Sequence, residues 1–125
     1  MLTDKPILIV EDNVYLALDL AAAVEHLGGR ALGPVGTVID ALAILSSGEV
    51  AGAILDFELP DSDASLVARA LSDQNVPFVI YSENPVPPEI LALRPRTPVL
   101  MKPVRPRDVV AKLAHEVISA APSAK

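Results

Sequence analysis

The chain has 125 residues, a formal net charge of −6 and no cysteine, and half of its residues are hydrophobic. This length predicts one domain, residues 1–125, and the lack of cysteine excludes disulfides and thiolate metal sites. The acidic balance argues against direct DNA binding, which depends on Lys and Arg neutralising phosphates. No apolar run approaches the roughly 18 residues of a membrane span and no signal peptide pattern is present, so we expect no membrane association and a cytoplasmic location.

Strands and helices are predicted to alternate in the first half of the chain. Pro6–Val10 is an aliphatic run typical of a strand buried on both faces. Asn13 can cap a helix that ends at Gly28. A weaker strand, Arg30–Val35, precedes a helix that Thr37 can cap. The residues expected to face the core are Leu16, Leu20, Val24 and Leu27 on the first helix, and Ile39, Leu42 and Leu45 on the second.

The second half continues the alternation with three more strands. These are predicted over Ala51–Asp56, Pro77–Tyr81 and Pro98–Met101. A helix is expected from Asp63 to about Asp73 and another over Pro106–Ala120. The residues expected to face the core are Leu66, Val67, Ala70 and Leu71 on the former, and Val109, Val110, Leu113, Val117 and Ile118 on the latter.

The segment before the fifth strand is rich in proline. Residues 85–98 hold five of the twelve prolines, so only Glu89–Leu93 can be helical and the fourth helix should be short or irregular. Because strands and helices otherwise alternate with short connections, the sequence predicts an α/β fold. This is a doubly wound, five-stranded parallel sheet with flanking helices.

Polar residues follow four of the predicted strands. Glu11 and Asp12 come after the first strand, Asp56 ends the third, Ser82 follows the fourth and Lys102 follows the fifth. Ligands and reacting groups collect at the carboxyl ends of parallel strands. Three adjacent carboxylates repel one another unless a cation neutralises them, and Mg²⁺ prefers oxygen ligands. This constellation indicates a Mg²⁺ site at which an aspartate can attack a phosphoryl group.

The segments ILIVEDN, AILDFELPD and MKPV, at this spacing, resemble the receiver domain of two-component response regulators across essentially the whole chain. The resemblance implies the flavodoxin-like, CheY-like fold. It also implies that Asp56 accepts a phosphoryl group from a histidine kinase or a histidine phosphotransfer protein. Ser82 matches the hydroxyl switch residue of the family and Lys102 the lysine that pairs with the phosphoryl group. Pro103 matches the proline that follows a cis peptide bond.

The same resemblance assigns the metal ligands. Asp12 and Asp56 match the family's side-chain ligands for Mg²⁺. The backbone carbonyl of Glu58 matches a third ligand, and Glu11 acts through water. The family is not an enzyme class, beyond self-catalysed phosphorylation and dephosphorylation, and its members bind other proteins through surfaces that respond to phosphorylation. The downstream protein partner of this chain is not indicated by any motif.

One position departs from the family pattern. The aromatic switch residue of the family lies three positions before the lysine, and here that position is Val99. The chain is therefore expected to be an atypical receiver, and its length leaves no room for an output domain, which predicts a stand-alone protein. Tyr81, beside Ser82, is either a substitute for the missing aromatic residue or a buried residue of the fourth strand.

Four further polar residues lie near the predicted site. Glu58 and Asn84 each follow a site residue by two positions and are expected to affect the lifetime of the phosphorylated state. Asp61 and Asp63 are expected to start the next helix through interactions with its N-terminus.

Other functions remain open on the sequence alone. A receiver that is never phosphorylated could act as a protein interaction module. An Asp-nucleophile phosphatase would place a second aspartate two residues after the first, where this chain has Glu58. A flavodoxin-like cofactor binder would have a glycine-rich phosphate loop after the first strand, where this chain has acids.

Overall fold

A computed structural model describes residues 2–93 and 97–120. Within them, five parallel strands form one sheet in the order β2-β1-β3-β4-β5, with helices on both faces. This is the predicted doubly wound α/β fold. The elements in chain order are β1 (Pro6–Val10), α1 (Val14–His26), β2 (Arg30–Val35), α2 (Val38–Ser47), β3 (Gly52–Leu55), α3 (Ser65–Asp73), β4 (Phe78–Ser82), α4 (Pro88–Leu91), β5 (Val99–Met101) and α5 (Pro106–Ala120).

The sheet separates two hydrophobic clusters because successive residues of a strand point to opposite faces. On β1, Leu8 and Val10 pack against α2 and α3, whereas Ile7 and Ile9 pack against α1 and α5. Helix α5 approaches the sheet closely at Gly52, where an added Cβ would lie 2.8 Å from a methyl carbon of Val117. All residues of β3 and β4 are buried, which accounts for the continuous apolar runs in the sequence.

Both predicted N-caps are confirmed. The Asn13 side chain accepts a hydrogen bond from the Leu16 backbone N–H at 3.1 Å, and the Thr37 hydroxyl accepts one from the Asp40 N–H at 3.2 Å. These bonds satisfy N–H groups that have no partner within the helix. The starts of α1 and α2 were therefore encoded locally.

The prediction of the core was wrong for three residues. Ile39, Leu66 and Ile118 have exposed fractions of 72%, 59% and 55%. On α2 the buried face is shifted by one residue from the assumed stripe, whereas on α3 and α5 the assumed stripe was wider than the buried face. The buried residues of these helices are Val38, Ala41 and Leu45 on α2, Val67, Ala68 and Leu71 on α3, and Val109, Val110, Leu113, Ala114 and Val117 on α5.

The fourth helix has only four residues, Pro88–Leu91, as the prolines predicted. Five strand bounds differ by one residue from the prediction, and three of these are starts: β3, β4 and β5 each begin one residue later. β3 ends at Leu55, so Asp56 lies just beyond it, and β4 extends to Ser82. Within the described ranges, no helix has the length and apolar character that crossing a membrane requires.

Candidate functional site

Backbone hydrogen bonds continue past the strand ends and hold the polar residues at one edge of the sheet. The Glu11 N–H donates to the Val35 carbonyl at 2.8 Å, and the Asp56 N–H donates to the Val10 carbonyl at 2.9 Å. At the same edge, just after β5, the Lys102 N–H donates to the carbonyl of the final residue of β4 at 2.8 Å. The site residues are therefore fixed by the sheet rather than by flexible loops.

The charged side chains form one cluster. Lys102 Nζ lies 3.1 Å from Glu11 Oε1 and 3.4 Å from Asp56 Oδ2. Ligand oxygens of Glu11, Asp12 and Asp56 all lie within 4.8 Å of one another. Glu11 and Asp56 are 3% and 6% exposed, whereas Asp12 faces solvent. One ammonium group thus faces three carboxylates, and the cluster has an excess of negative charge.

This excess is reflected in the protonation of Asp56. Burial, followed by repulsion from Glu11, raises the pKa of Asp56 from 3.8 to about 7, although the Lys102 charge and the Glu58 N–H oppose the change. Burial lowers the pKa of Lys102, but the hydrogen bond to Glu11 and the charges of Asp56 and Glu11 outweigh it, so that pKa is raised. Lys102 therefore stays a charged ammonium group, and its charge only partly offsets the negative charge around Asp56.

The cluster opens into a cavity of about 690 Å³. Its walls are formed by Glu11, Asp12, Asn13, Tyr15, Leu16, Asp56, Glu58, Tyr81, Glu83, Lys102 and Pro103. Ser82 is 1% exposed and is not part of this wall; its hydroxyl accepts a hydrogen bond from the Asn84 N–H at 3.3 Å. The structure therefore brings Glu11, Asp12, Asp56 and Lys102 together, and it places Ser82 beside them in the sheet.

A hydrogen bond spans the loops at the cavity mouth. Asn84 Nδ2 donates to Glu58 Oε1 at 2.7 Å, which joins the loop after β3 to the loop after β4. The Glu58 N–H also donates to Asp56 Oδ1 at 3.3 Å. Glu58 thus contacts Asp56 through its backbone and Asn84, in the loop after β4, through its side chain.

The expectation for Asp61 was wrong and that for Asp63 is confirmed. Asp61 caps α2 instead of α3: its two carboxylate oxygens accept hydrogen bonds from the Val38 and Ile39 N–H groups at 3.0 and 3.2 Å. These bonds lower the pKa of Asp61. Asp63 accepts from the Ser65 N–H at 3.0 Å, at the start of α3. Sequence proximity could not reveal the Asp61 contact, because α2 and the loop after β3 meet only in the folded chain.

Tyr81 has a larger part in the site than the sequence indicated. It is 3% exposed, its hydroxyl donates to the Val104 carbonyl, and Lys102 Nζ lies 5.3 Å from the centre of its ring. Val99, at the position of the family's aromatic residue, is half-buried in β5. No spatial order of the strands was predicted from the sequence, so this contact was not expected: Tyr81 pairs with Leu100 of β5, two residues before Lys102.

The residues fit a hard divalent cation. Two of the three carboxylates are buried, their oxygens are close together, and Lys102 neutralises only part of their charge. Carboxylate oxygens with an open, water-accessible side are the ligands that Mg²⁺ prefers. The carboxylates of Glu11, Asp12 and Asp56 could together hold such an ion.

Comparisons with known proteins agree with this geometry. The Phyllosphere-induced regulator PhyR of Methylorubrum extorquens is 34% identical in an alignment of 113 residues that covers 87% of this chain and 42% of PhyR. The solution structure of SdrG from Sphingomonas melonis Fr1 is 35% identical with a TM-score of 0.77, covering 94% of this chain and 99% of SdrG. No family model matches the chain.

A third comparison includes a metal. The receiver domain of the sensor histidine kinase PA1611 from Pseudomonas aeruginosa PAO1 has a TM-score of 0.76 at 21% identity, covering 92% of this chain and 98% of that domain. Its crystal structure has a magnesium ion coordinated in the active site cleft. The fold, the cluster at the strand ends and these similarities define the class: the chain belongs to the response regulator receiver domains. It spans about two fifths of the length of PhyR, so it corresponds to only part of that regulator.

Proposed function

We propose that this chain is a single receiver domain that accepts a phosphoryl group on Asp56 from a histidine kinase or a histidine phosphotransfer protein. The proposal rests on one observation: a buried carboxylate lies 3.4 Å from an ammonium group and within 4.8 Å of two further carboxylates, at the floor of an open cavity. A nucleophile, a cation for the incoming charge and room for a donor are therefore present together.

The bonds that form and break in the transfer lie between Asp56 and the donor. An Asp56 carboxylate oxygen forms a bond to phosphorus while the bond between phosphorus and the donor's imidazole nitrogen breaks, and the electron pair returns to that nitrogen. Lys102 can follow the arriving phosphoryl oxygens because its ammonium already lies beside Asp56. We propose that the hydroxyl of Ser82, at the end of β4, also binds the phosphoryl oxygens.

We propose that Mg²⁺ is the cofactor, held by the Asp12 and Asp56 side chains and the Glu58 carbonyl, with Glu11 acting through water. When bound, this ion supplies positive charge that offsets the carboxylates and the phosphoryl oxygens. The acidic cluster of this chain and the magnesium ion in the PA1611 receiver domain support this assignment.

We further propose that the phosphorylated chain signals through protein–protein contacts or serves as an intermediate or sink in a phosphorelay. It does not bind DNA directly, in keeping with its net charge of −6, and it acts in the cytoplasm. Phosphorylation adds close to two negative charges to a site that is already acidic, so it can alter the surrounding loops. A phosphotransfer protein mixed with the phosphorylated chain would regain the phosphoryl group if the chain is a relay intermediate.

The central assignment is tested with a small acyl phosphate and Mg²⁺. Intact-mass spectrometry should show one added phosphoryl group on the wild type and none on Asp56→Asn. Asp63→Asn is the matched control, because it changes an acid of the same loop whose bonds are local to α3. It should be phosphorylated like the wild type. An adduct on Asp56→Asn, or none on the wild type, would contradict the proposed function.

A further inference from the structure

Tyr81 binds both backbone polar groups of one residue in the loop after β5. Its hydroxyl donates to the Val104 carbonyl and accepts a hydrogen bond from the Val104 N–H at 3.3 Å. The tyrosine is buried in the cluster between the sheet and the helices α1 and α5, and Val104 packs against that cluster. Because the ring is enclosed and its hydroxyl is engaged twice, Tyr81 is a fixed anchor for Val104.

A second anchor lies on the other side of Pro103. The Lys102 N–H donates to the carbonyl of Ser82, the residue next to Tyr81 in β4. Pro103 has no N–H to contribute. Consecutive residues of β4 therefore bind both ends of the three-residue segment that carries the Lys102 side chain. The position of this backbone relative to the sheet is set from both directions.

The Tyr81 ring also contacts the ammonium group itself. Lys102 Nζ lies over the ring, 5.3 Å from its centre, and it also forms ion pairs with Glu11 and Asp56. The face of an aromatic ring carries negative charge and attracts a cation within about 6 Å. The ring and the carboxylates thus confine the ammonium group to the wall of the cavity that contains Asp56.

We propose that Tyr81 is a positioning residue that holds Lys102 at the phosphoacceptor, through its hydrogen bonds to Val104 and the contact of its ring with the ammonium group. This inference rests on the proposed role of Lys102 in phosphoryl transfer. It resolves the two interpretations left open by the sequence. Tyr81 is a buried strand residue whose function is to stay in place. It does not replace the aromatic switch residue of the family, whose position is occupied here by Val99.

The kinetic test compares Tyr81→Phe, which keeps the ring and removes the hydroxyl, with the control Val79→Ala. Val79 is buried in the same strand and the same cluster, so the control loosens the core without touching Lys102. With acetyl phosphate and saturating Mg²⁺, Tyr81→Phe should form phosphoaspartate about fivefold to tenfold more slowly, the loss expected for a hydrogen bond that matters in the transition state. Val79→Ala should stay within about twofold of the wild type.

A double-mutant comparison separates positioning from a general loss of stability. In a Lys102→Ala background, Tyr81→Phe should cause no further slowing, because its effect acts through Lys102. An equal loss in both backgrounds, a wild-type rate for Tyr81→Phe, or the same loss in Val79→Ala would overturn the proposal.

Amide hydrogen exchange tests the anchor without any phosphorylation. The Val104 N–H should lose about tenfold protection in Tyr81→Phe and keep it in Val79→Ala. Unchanged exchange at Val104 in Tyr81→Phe would refute the anchor even if the wild type is phosphorylated. Failure of the wild type to form an adduct would instead count against the proposed function, so the two failures are distinguishable.

Discussion

Asp56→Asn should stabilise the folded, metal-free chain at pH 8. In the folded chain the pKa of Asp56 is raised from its ordinary 3.8 to about 7, chiefly by burial and the neighbouring Glu11. Between these values the folded state binds more protons than the unfolded state, so the free energy of unfolding falls as the pH rises through this interval. Above pH 7 the carboxylate is charged in both states, so the folded state bears the full free-energy cost of the buried charge.

The size of this cost follows from the same interval. About 3 pH units at about 1.36 kcal/mol each give an upper bound of about 4 kcal/mol at pH 8. An asparagine keeps the shape of the side chain and its bond from the Glu58 N–H, so we expect a gain of about 2 kcal/mol or more. Near pH 5, where Asp56 is protonated in the folded chain, most of the gain should disappear.

Urea unfolding in EDTA from pH 5 to 8.5 measures the effect. Asp19→Asn is the control, since it removes a carboxylate from the exposed side of α1. It should change stability little across this range. Adding Mg²⁺ at pH 8 should stabilise the wild type more than Asp56→Asn, because the ion binds the folded wild-type site. If Asp56→Asn is no more stable than the wild type at pH 8, or if its advantage is independent of pH, the electrostatic reasoning is refuted.

Three more predictions follow from particular contacts. Glu58→Asn removes the 2.7 Å hydrogen bond to Asn84. Loss of the phosphoryl group, followed by mass spectrometry, should become about threefold to tenfold faster, and Asn84→Ala should act in the same direction. Equal rates in the variants and the wild type would exclude a role for this contact. Gly52→Ala should lower the free energy of unfolding by about 1–3 kcal/mol, since its Cβ would lie 2.8 Å from Val117, whereas Gly48→Ala, whose nearest contact would be 3.9 Å, should be close to neutral. Leu45→Ala should cost about 2–5 kcal/mol and Ile39→Ala, on the exposed side of α2, about 0.5 kcal/mol or less; similar losses in urea unfolding would show that the helix face is misassigned.

The sequence determined the elements and their order because the signals for them are local. The aliphatic runs of β1 and β3 are buried on both faces, and such runs can be recognised without knowing their neighbours. The caps Asn13 and Thr37 bond within their own first turn. Asp56 was identified because it interrupts an apolar strand end, and the short α4 because prolines restrict the backbone.

Only the tertiary structure decided which side chains meet. The 3.1 Å contact of Lys102 with Glu11 joins opposite ends of the chain, and it requires β1, β3, β4 and β5 to lie in register in one sheet. Asp61 caps α2 rather than the helix that follows it, and Tyr81 anchors Val104 beside the lysine. Ile39 is exposed because α2 packs against the sheet through Val38 and Ala41. Local patterns specify segments, whereas contacts between segments depend on how they pack, and the electrostatics of the site arise from those contacts.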